Sequence, residues 1–388
     1  MGTVNYDYVK DSLKGEVQRR TEHICFRNRD LKINCYKNAR VFPYKKGQKG
    51  EIVIDDQMAI ATDFPHKIDL KDYDTSNGYS KCGKAIFIGD FWIYVWGHCF
   101  TDHYNKVWVA LTEKCKELQN NGAELVFIGC NPKIPKYFYD LFLLAGIDLH
   151  KARMITEATI FDELYVPDNC YYILDDGWYR YYTDEYLGLL SNMKTNVALL
   201  AKKSGKFPIY KRIYLTRTQG NFGSTFKNIG EKTIENIFRK EGYTIIAPEK
   251  YSVAEQIWMM MNCDDLVATD GSICHASCFC RSTTHLTVLL KADFLVMHQV
   301  AANQIAGMDV AYVTAHHSTW VDKDAPWHGP FYMYVTKQLQ NYLGKRILHI
   351  SYFASPSYFL YFIRHIYMMT LRKSVFCDRV VRKILRVK

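Results

Sequence analysis

The feature that most constrains this chain is an alternation that begins at residue 212. Four short runs of strand-forming residues, RIYLT (212–216), YTIIAP (243–248), DLVAT (265–269) and HLTVLL (285–290), are separated by stretches with other signatures. EKTIENIFRKEG puts Ile234, Ile237 and Phe238 on one helical face and stops at Gly242. SVAEQIWMMMN opens with the capping box Ser252-x-x-Glu255. Strands that alternate with helices argue for a mostly parallel sheet with helices on both faces. The first half repeats the theme less cleanly. Residues 1 to about 80 read as irregular, with short strands and turns. Strands are expected at 85–88, 92–95, 123–129 and 152–156. Tyr104 to Leu118 has helical spacing, and KYFYDLFLLAG reads as a helix ending at Gly146. A polar, lysine-bearing segment at 193–211 separates the halves. The expected organisation is therefore an α/β domain over 1–200, a second over 201–345 and a basic aromatic tail over 346–388.

With 388 residues and 48% hydrophobic composition, the chain can build two cores. Aromatics reach 15%, led by 29 tyrosines. A tyrosine ring and hydroxyl suit sugar contacts, and they serve a core equally well. The opening stretch MGTVNYDYVKDSLKGEVQRR lacks the apolar core of a secretory leader, and twelve cysteines are too sparse for a disulfide scaffold. Reduced thiols and a cytoplasmic location are the expectation. The net charge is +10, and residues 359–388 hold eight Lys and Arg against one acid. The rest is nearly balanced, so a nucleic-acid partner is not indicated.

The junction DDLVATDGSICH then acquires a meaning. In doubly wound sheets, ligands bind beyond the carboxyl ends of the strands. A helix beginning after Asp270-Gly271-Ser272 would offer free backbone N–H groups and a positive dipole end to a phosphate. Gly271 would allow close approach, and Ser272 could cap the helix. The same three residues also make an ordinary strand-to-helix turn. Thr216-Arg217 ends the neighbouring strand and could aim a guanidinium at the same place. Glu249, Glu255 and Gln256 lie where a third strand turns into its helix, and a carboxylate there could hold ribose hydroxyls. For Glu255 the capping box with Ser252 is the competing role. His275 falls one turn further on.

Taken in order, Thr216-Arg217, Glu231, Gly242-Tyr243, Pro248-Glu249, Glu255-Gln256, Gly271-Ser272 and His275 with Phe279 resemble the donor half of glycosyltransferase family 61, in its bacterial capsular-polysaccharide branch. In the first half, Trp96-Gly97-His98 with Asp102 resembles the family's Trp-Gly-His-x-x-x-Asp segment. AGIDLHKARMI and FDELYVPD share its cadence. The resemblance covers roughly residues 84–290. The chain departs from the pattern at Ala276, where an asparagine is common, and at Asp270, where many members carry histidine. These two positions leave the nucleotide contacts open.

The resemblance implies a GT-B enzyme, two facing Rossmann-like domains with a cleft between them. It would be an inverting transferase moving a sugar from a nucleotide-activated donor to a hydroxyl of a capsular or lipid-linked glycan. Such chemistry needs a base for the acceptor hydroxyl and cationic or dipolar groups for the departing diphosphate. Asp102 is the first choice for the base, with His98 as its neighbour or as the base itself. The alternative is that His98 caps a helix whose first turn Asp102 favours. Arg217 and the Gly271-Ser272 turn would meet the diphosphate, so no metal and no cofactor beyond the donor are expected. The rival readings are a polyol-phosphate transferase of similar architecture and a non-catalytic nucleotide-sugar-binding scaffold. The set Cys274, His275, Cys278, Cys280 and His285 fits no standard zinc spacing and reads as packing. In the tail, Phe376, Val380, Ile384 and Val387 share a helical face amid basic residues, which suits an anionic membrane surface and a peripheral location on the inner face of the cell membrane. The competing reading is a last helix docked on the domain.

Overall fold

The computed structural model describes residues 2–22, 30–45, 50–54, 58–59, 66–67, 69–70, 73, 78–91, 93, 96–173, 180–220, 228–317, 331–347, 359, 362–363, 366–367 and 374–384. The chain divides into two compact units. One comprises Met1–Glu22, Ile209–Tyr251 and Asn262–Lys388, and the other His23–Pro208 and Ser252–Met261.

In chain order the first elements are β1 (Val4–Asn5), α1 (Asp11–Glu22), β2 (Ile33–Phe42), β3 (Glu51–Ile54), β4 (Met58–Ala59) and β5 (His66–Lys67). They are followed by β6 (Ser80–Phe91), α2 (Glu113–Asn120), β7 (Glu124–Gly129), α3 (Lys136–Leu144), β8 (Ala152–Ile155) and β9 (Thr159–Pro167). The hairpin strands β10 (Tyr171–Ile173) and β11 (Arg180–Tyr182) lead into α4 (Asp184–Ser204). In the unit that holds His23–Pro208, eight strands form one sheet in the order β5-β4-β3-β2-β9-β6-β7-β8. β9, β6, β7 and β8 run parallel, while β2 to β5 pair antiparallel. Four strands are thus parallel, and the other four extend the sheet as an antiparallel meander. Val41, Ile52, Ala85, Phe87, Val126, Ile128 and Leu164 fill the core on one face. The helix expected from Tyr104 to Leu118 is not continuous. It is two 3-10 turns, Asp102–Tyr104 and Val107–Leu111, before Thr112 caps α2 by accepting from Cys115 N at 3.1 Å. The strand expected at 92–95 lies almost wholly outside the described residues. The polar segment at 193–211 is largely α4, whose end at Gly205 (φ +62°) precedes the unit boundary.

The second set of elements is β12 (Arg212–Leu215), β13 (Asn228–Ile229), α5 (Glu231–Lys240), β14 (Thr244–Ile246), α6 (Val253–Asn262), β15 (Asp265–Thr269), β16 (His285–Leu290), α7 (Met297–Ala306), β17 (Asp309–Thr314), β18 (Phe331–Tyr332) and α8 (Lys337–Tyr342). All four runs that opened the sequence reading are strands. They join an all-parallel sheet ordered β14-β12-β15-β16-β17-β1. Tyr214, Val267, Leu289 and Val313 from its strands pack with Ile234 and Phe238 of α5. The order reverses at β12: the chain steps from β12 to β14 on one side and returns to β15 on the other. This is the topological switch point of a doubly wound sheet.

Two boundaries differ from the sequence expectation. Residues 1–22 do not belong with the first half. β1 pairs with β17, and Asp309 Oδ1 accepts from both Thr3 N and Thr3 Oγ1 at 2.7 Å. A two-residue strand carries no hydrophobic signature, so composition could not place it. Conversely, Ser252–Met261, most of α6, packs with the first-half unit. Among the described tail residues, Val375–Ile384 is a helix and Phe376 (75%) and Val380 (40%) are exposed. The side chain of Ile384, all of Val387, and Arg364, Arg372, Lys373, Arg386 and Lys388 lie outside the described residues.

Candidate functional site

The switch point is where Thr216-Arg217 and Asp270-Gly271 come side by side. The sheet registers Leu215↔Ala268 and Thr269↔Leu289 place the segments that leave β12, β15 and β16 side by side at their carboxyl ends. Thr216-Arg217 follows β12, Asp270-Gly271 follows β15 and Lys291 follows β16. Gly271 has φ +110°, a conformation that favours glycine. A Cβ there would sit 3.0 Å from Lys291 Nζ. The same amine lies 4.7 Å from the centroid of the Phe331 ring.

Buried acids on one face of α5 set the position of Arg217. Glu231 and Glu235 are one turn apart and fully buried, together with Ile234 and Phe238. Glu231 Oε1 accepts from Arg217 N at 3.3 Å and Tyr214 Oη at 3.4 Å, and Oε2 accepts from Asn228 Nδ2 at 2.9 Å. Glu235 Oε2 accepts from Thr216 Oγ1 at 2.9 Å and Thr218 Oγ1 at 2.6 Å, and Oε1 accepts from Arg239. The two carboxyls thus hold both sides of the tripeptide that carries Arg217. Burial raises the pKa of Glu231 against its hydrogen bonds. Burial also opposes charge on Glu235, yet hydrogen bonds from Lys232, Thr218, Thr216 and Arg239 prevail and lower it to about 2.

The cations behave in the opposite way. Burial lowers the pKa of Arg217, with Glu231 and Glu249 pulling it back. Burial and the charge of Arg217 lower Lys291 to about 8 despite Asp270, Glu231 and the Cys274 thiol. Among the described residues, no hydrogen bond or ion pair reaches Lys291 Nζ. Two cations and two acids therefore share one sheet end, with the acids engaged elsewhere. Asp270 Oδ2, for example, accepts from Val296 N at 3.2 Å.

Three expectations change. No α-helix follows Gly271. Cys274 N closes a turn on Gly271 O at 2.8 Å, and His275–Phe279 is a five-residue 3-10 helix with no side-chain cap. Successive three-residue turns continue to Cys280 because every residue from Ile273 to Cys280 is buried against the unit, so the chain follows packing instead of helical propensity. Ser272 does not cap a helix, and the expected dipole is absent. Thr216 is fully buried, with its hydroxyl on Glu235, which makes it part of the support of Arg217. Glu255 makes the capping box: its Oε2 accepts from Ser252 N at 2.8 Å and Ser252 Oγ at 2.7 Å. Glu255 and the buried Gln256 belong to the other unit. Glu249 is exposed within Coulombic range of Arg217, and His275 is buried 6.1 Å from the His298 ring.

Lys291 and Glu235 escaped the sequence reading, and Glu231 entered it only as a landmark. The Glu-x-x-x-Glu spacing was the available signal for the acids. Lys291 carried the weaker signal of a cation directly after a buried strand.

In the other unit, His98 Nδ1 and Asp102 Oδ2 are in direct contact across a 3-10 turn. Both side chains are accessible, at 35% and 40%. Behind them His103 is buried, and burial followed by the neighbouring His98 lowers its pKa to about 3, so it is neutral. The segment is tied down by Cys170 N to Asn105 O at 2.7 Å, Trp108 Nε1 to Asp168 O at 2.8 Å and Lys106 Nζ to Pro167 O at 3.1 Å. A carboxylate that touches an accessible imidazole on a fixed backbone can accept or relay a proton.

Cys274, Cys278 and Cys280 are buried thiols. Among the described residues, no group of three or more His, Cys, Asp or Glu is placed to hold a metal ion, and no helix is long and apolar enough to cross a membrane.

The mixed α/β architecture with parallel sheets is compatible with an α/β glycosyltransferase. The family model for glycosyltransferase 61 matches residues 96–287, just under half of the chain, and supports that family for it. The match spans both His98–Asp102 and the Arg217–Gly271 end of the sheet. The chain is a glycosyltransferase, with a sugar donor and an acceptor as its substrates. No curated protein matched it.

Proposed function

We propose that the chain is an inverting transferase that moves a sugar from a nucleotide-activated donor to a hydroxyl of a capsular or lipid-linked glycan. The observation that carries this reading is the placement of Arg217 and Gly271 just beyond the carboxyl ends of β12 and β15, the two strands that flank the switch point. There a guanidinium and an open backbone can meet a diphosphate. Donor binding is assigned to this unit, and acceptor activation to the unit with His98 and Asp102, the division of labour of a GT-B enzyme. Asp102, touching His98, takes the acceptor proton, and Arg217 stabilises the departing diphosphate. The reading needs no metal. Turnover abolished by a chelator and restored by manganese would overturn that part.

The tail is assigned to an anionic membrane surface at the cytoplasmic face, on the strength of eight basic residues beside exposed Phe376 and Val380. Deleting residues 359–388 should then lower the membrane-bound share in cell fractions, and an unchanged share would remove the assignment. The donor is tested by thermal shift against nucleoside diphosphates and nucleotide-sugars, in which the right one raises the melting temperature by mass action. Asp102→Asn should keep that shift and lose transfer by about 10²–10⁴-fold. An Asp102→Asn enzyme that transfers at the native rate would sink the base assignment.

A further inference from the structure

We propose that Lys291 is a second phosphate-binding cation that acts with Arg217 across the Gly271 backbone, so that its protonation sets the affinity for the donor diphosphate. This rests on the donor reading above. Lys291 extends β16 just where Gly271 extends β15, and its amine lies 3.0 Å from the position a Cβ at Gly271 would take. Phe331 covers one side of the amine at 4.7 Å. Among the described residues, no hydrogen bond or ion pair uses its three N–H donors. A lysine held in that state beside an arginine is costly to the empty protein, and a diphosphate between the two would relieve it.

The groups that face Lys291 are Arg217 beyond β12, Asp270 and Cys274 beyond β15, and Glu231 of α5. Burial and Arg217 outweigh the two acids and the thiol, and the amine gives up its proton near pH 8. Charge at Lys291, and with it diphosphate affinity, is therefore complete below that pH and is lost above it. The Gly271 backbone also gains a reason. A Cβ there would crowd the amine, which would have to give by a few tenths of an ångström, at a positive φ that favours glycine in any case.

Calorimetric titration of the full chain with inorganic pyrophosphate, supported by a thermal-shift panel of UDP, GDP, CDP and ADP, tests this. Lys291→Met should weaken pyrophosphate binding tenfold or more at pH 7. Lys291→Arg, which keeps its charge, should bind at least as well as the native chain at pH 7 and about tenfold better at pH 9, where most native Lys291 is neutral. That ratio cancels the titration of pyrophosphate itself, and a merely structural lysine would not produce it. Native protein that binds neither pyrophosphate nor any nucleoside diphosphate would overturn the donor reading and this inference together. Native binding that Lys291→Met retains, or a Lys291→Arg to native ratio that stays flat from pH 7 to 9, would overturn this inference alone.

Discussion

The same parallel sheet treats charge in two ways at the carboxyl ends of two of its strands, which flank β15. Beyond β12, Glu235 is enclosed by four donors, and its carboxyl is stabilised as an anion at about pKa 2. Beyond β16, Lys291 sits among Arg217, Asp270 and Glu231 with no hydrogen bond or ion pair to its amine among the described residues, and its charge is destabilised. A charge whose hydrogen-bonding capacity is filled from within the fold is architecture. One that is held in place and left unmatched is set up for something from outside.

That contrast can be broken, beginning with its largest expected effect on stability. Glu235→Ala removes the acceptor of the buried Thr216 hydroxyl and of the more exposed Thr218, Lys232 and Arg239, and should cost about 2–3 kcal/mol in urea denaturation. A cost under about 1 kcal/mol would reduce Glu235 to a surface charge. The native protein should also lose stability as pH falls from 4.5 toward 2. The folded carboxyl keeps its charge over that window while the unfolded one protonates, so the unfolded state binds the extra proton. Arg217→Met should lower kcat/KM by about 10²–10³-fold if the guanidinium has the proposed role of stabilising the leaving diphosphate. Lys291→Met should have the opposite sign on stability. The folded amine releases its proton near 8 and the unfolded one near 10.5, so the penalty is full below pH 8 and fades toward 10.5. Removing the charge should then stabilise the ligand-free protein by about 1–2 kcal/mol at pH 7, allowing for partial solvent screening. A destabilised Lys291→Met would place Lys291 with the architecture. Glu231→Gln should move stability least, by about 1 kcal/mol, because burial already draws that carboxyl toward neutrality.

Four of the six strands of the parallel sheet, at 212–216, 243–248, 265–269 and 285–290, were legible as short runs of strand-forming residues alternating with helical stretches, whereas β17 and β1 were not read. The capping box of α6 and the stop of α3 at Gly146 (φ +93°) were legible from local signals as well. The turn after Gly271 was not. Its sequence has helical spacing, but burial of every residue from Ile273 to Cys280 overrides propensity, and no single window reports burial. The antiparallel strands β2 to β5 fall in the stretch read as irregular with short strands and turns: β3 to β5 are four residues or fewer, and β2, though ten residues long, is interrupted by Lys37, Asn38 at φ +55° and Arg40. At the candidate site, Arg217, Gly271, His98 and Asp102 were recoverable from motif order. Lys291 and Glu235 needed the third dimension. A glutamate on a helix usually faces water, and only the packing of α5 reveals that this one faces inward.

The pairing of β1 with β17 has a consequence for how the polypeptide matures. Thr3 and the Asp309 it bonds are 306 residues apart, so β1 leaves the ribosome long before the other five strands of its sheet, which follow from residue 212 onward. At ordinary synthesis rates of about 5–20 residues per second, those early residues wait tens of seconds for their partner. The edge of β17 is correspondingly the last to be sealed, and a nascent chain that stalls before residue 309 has no place to dock its beginning.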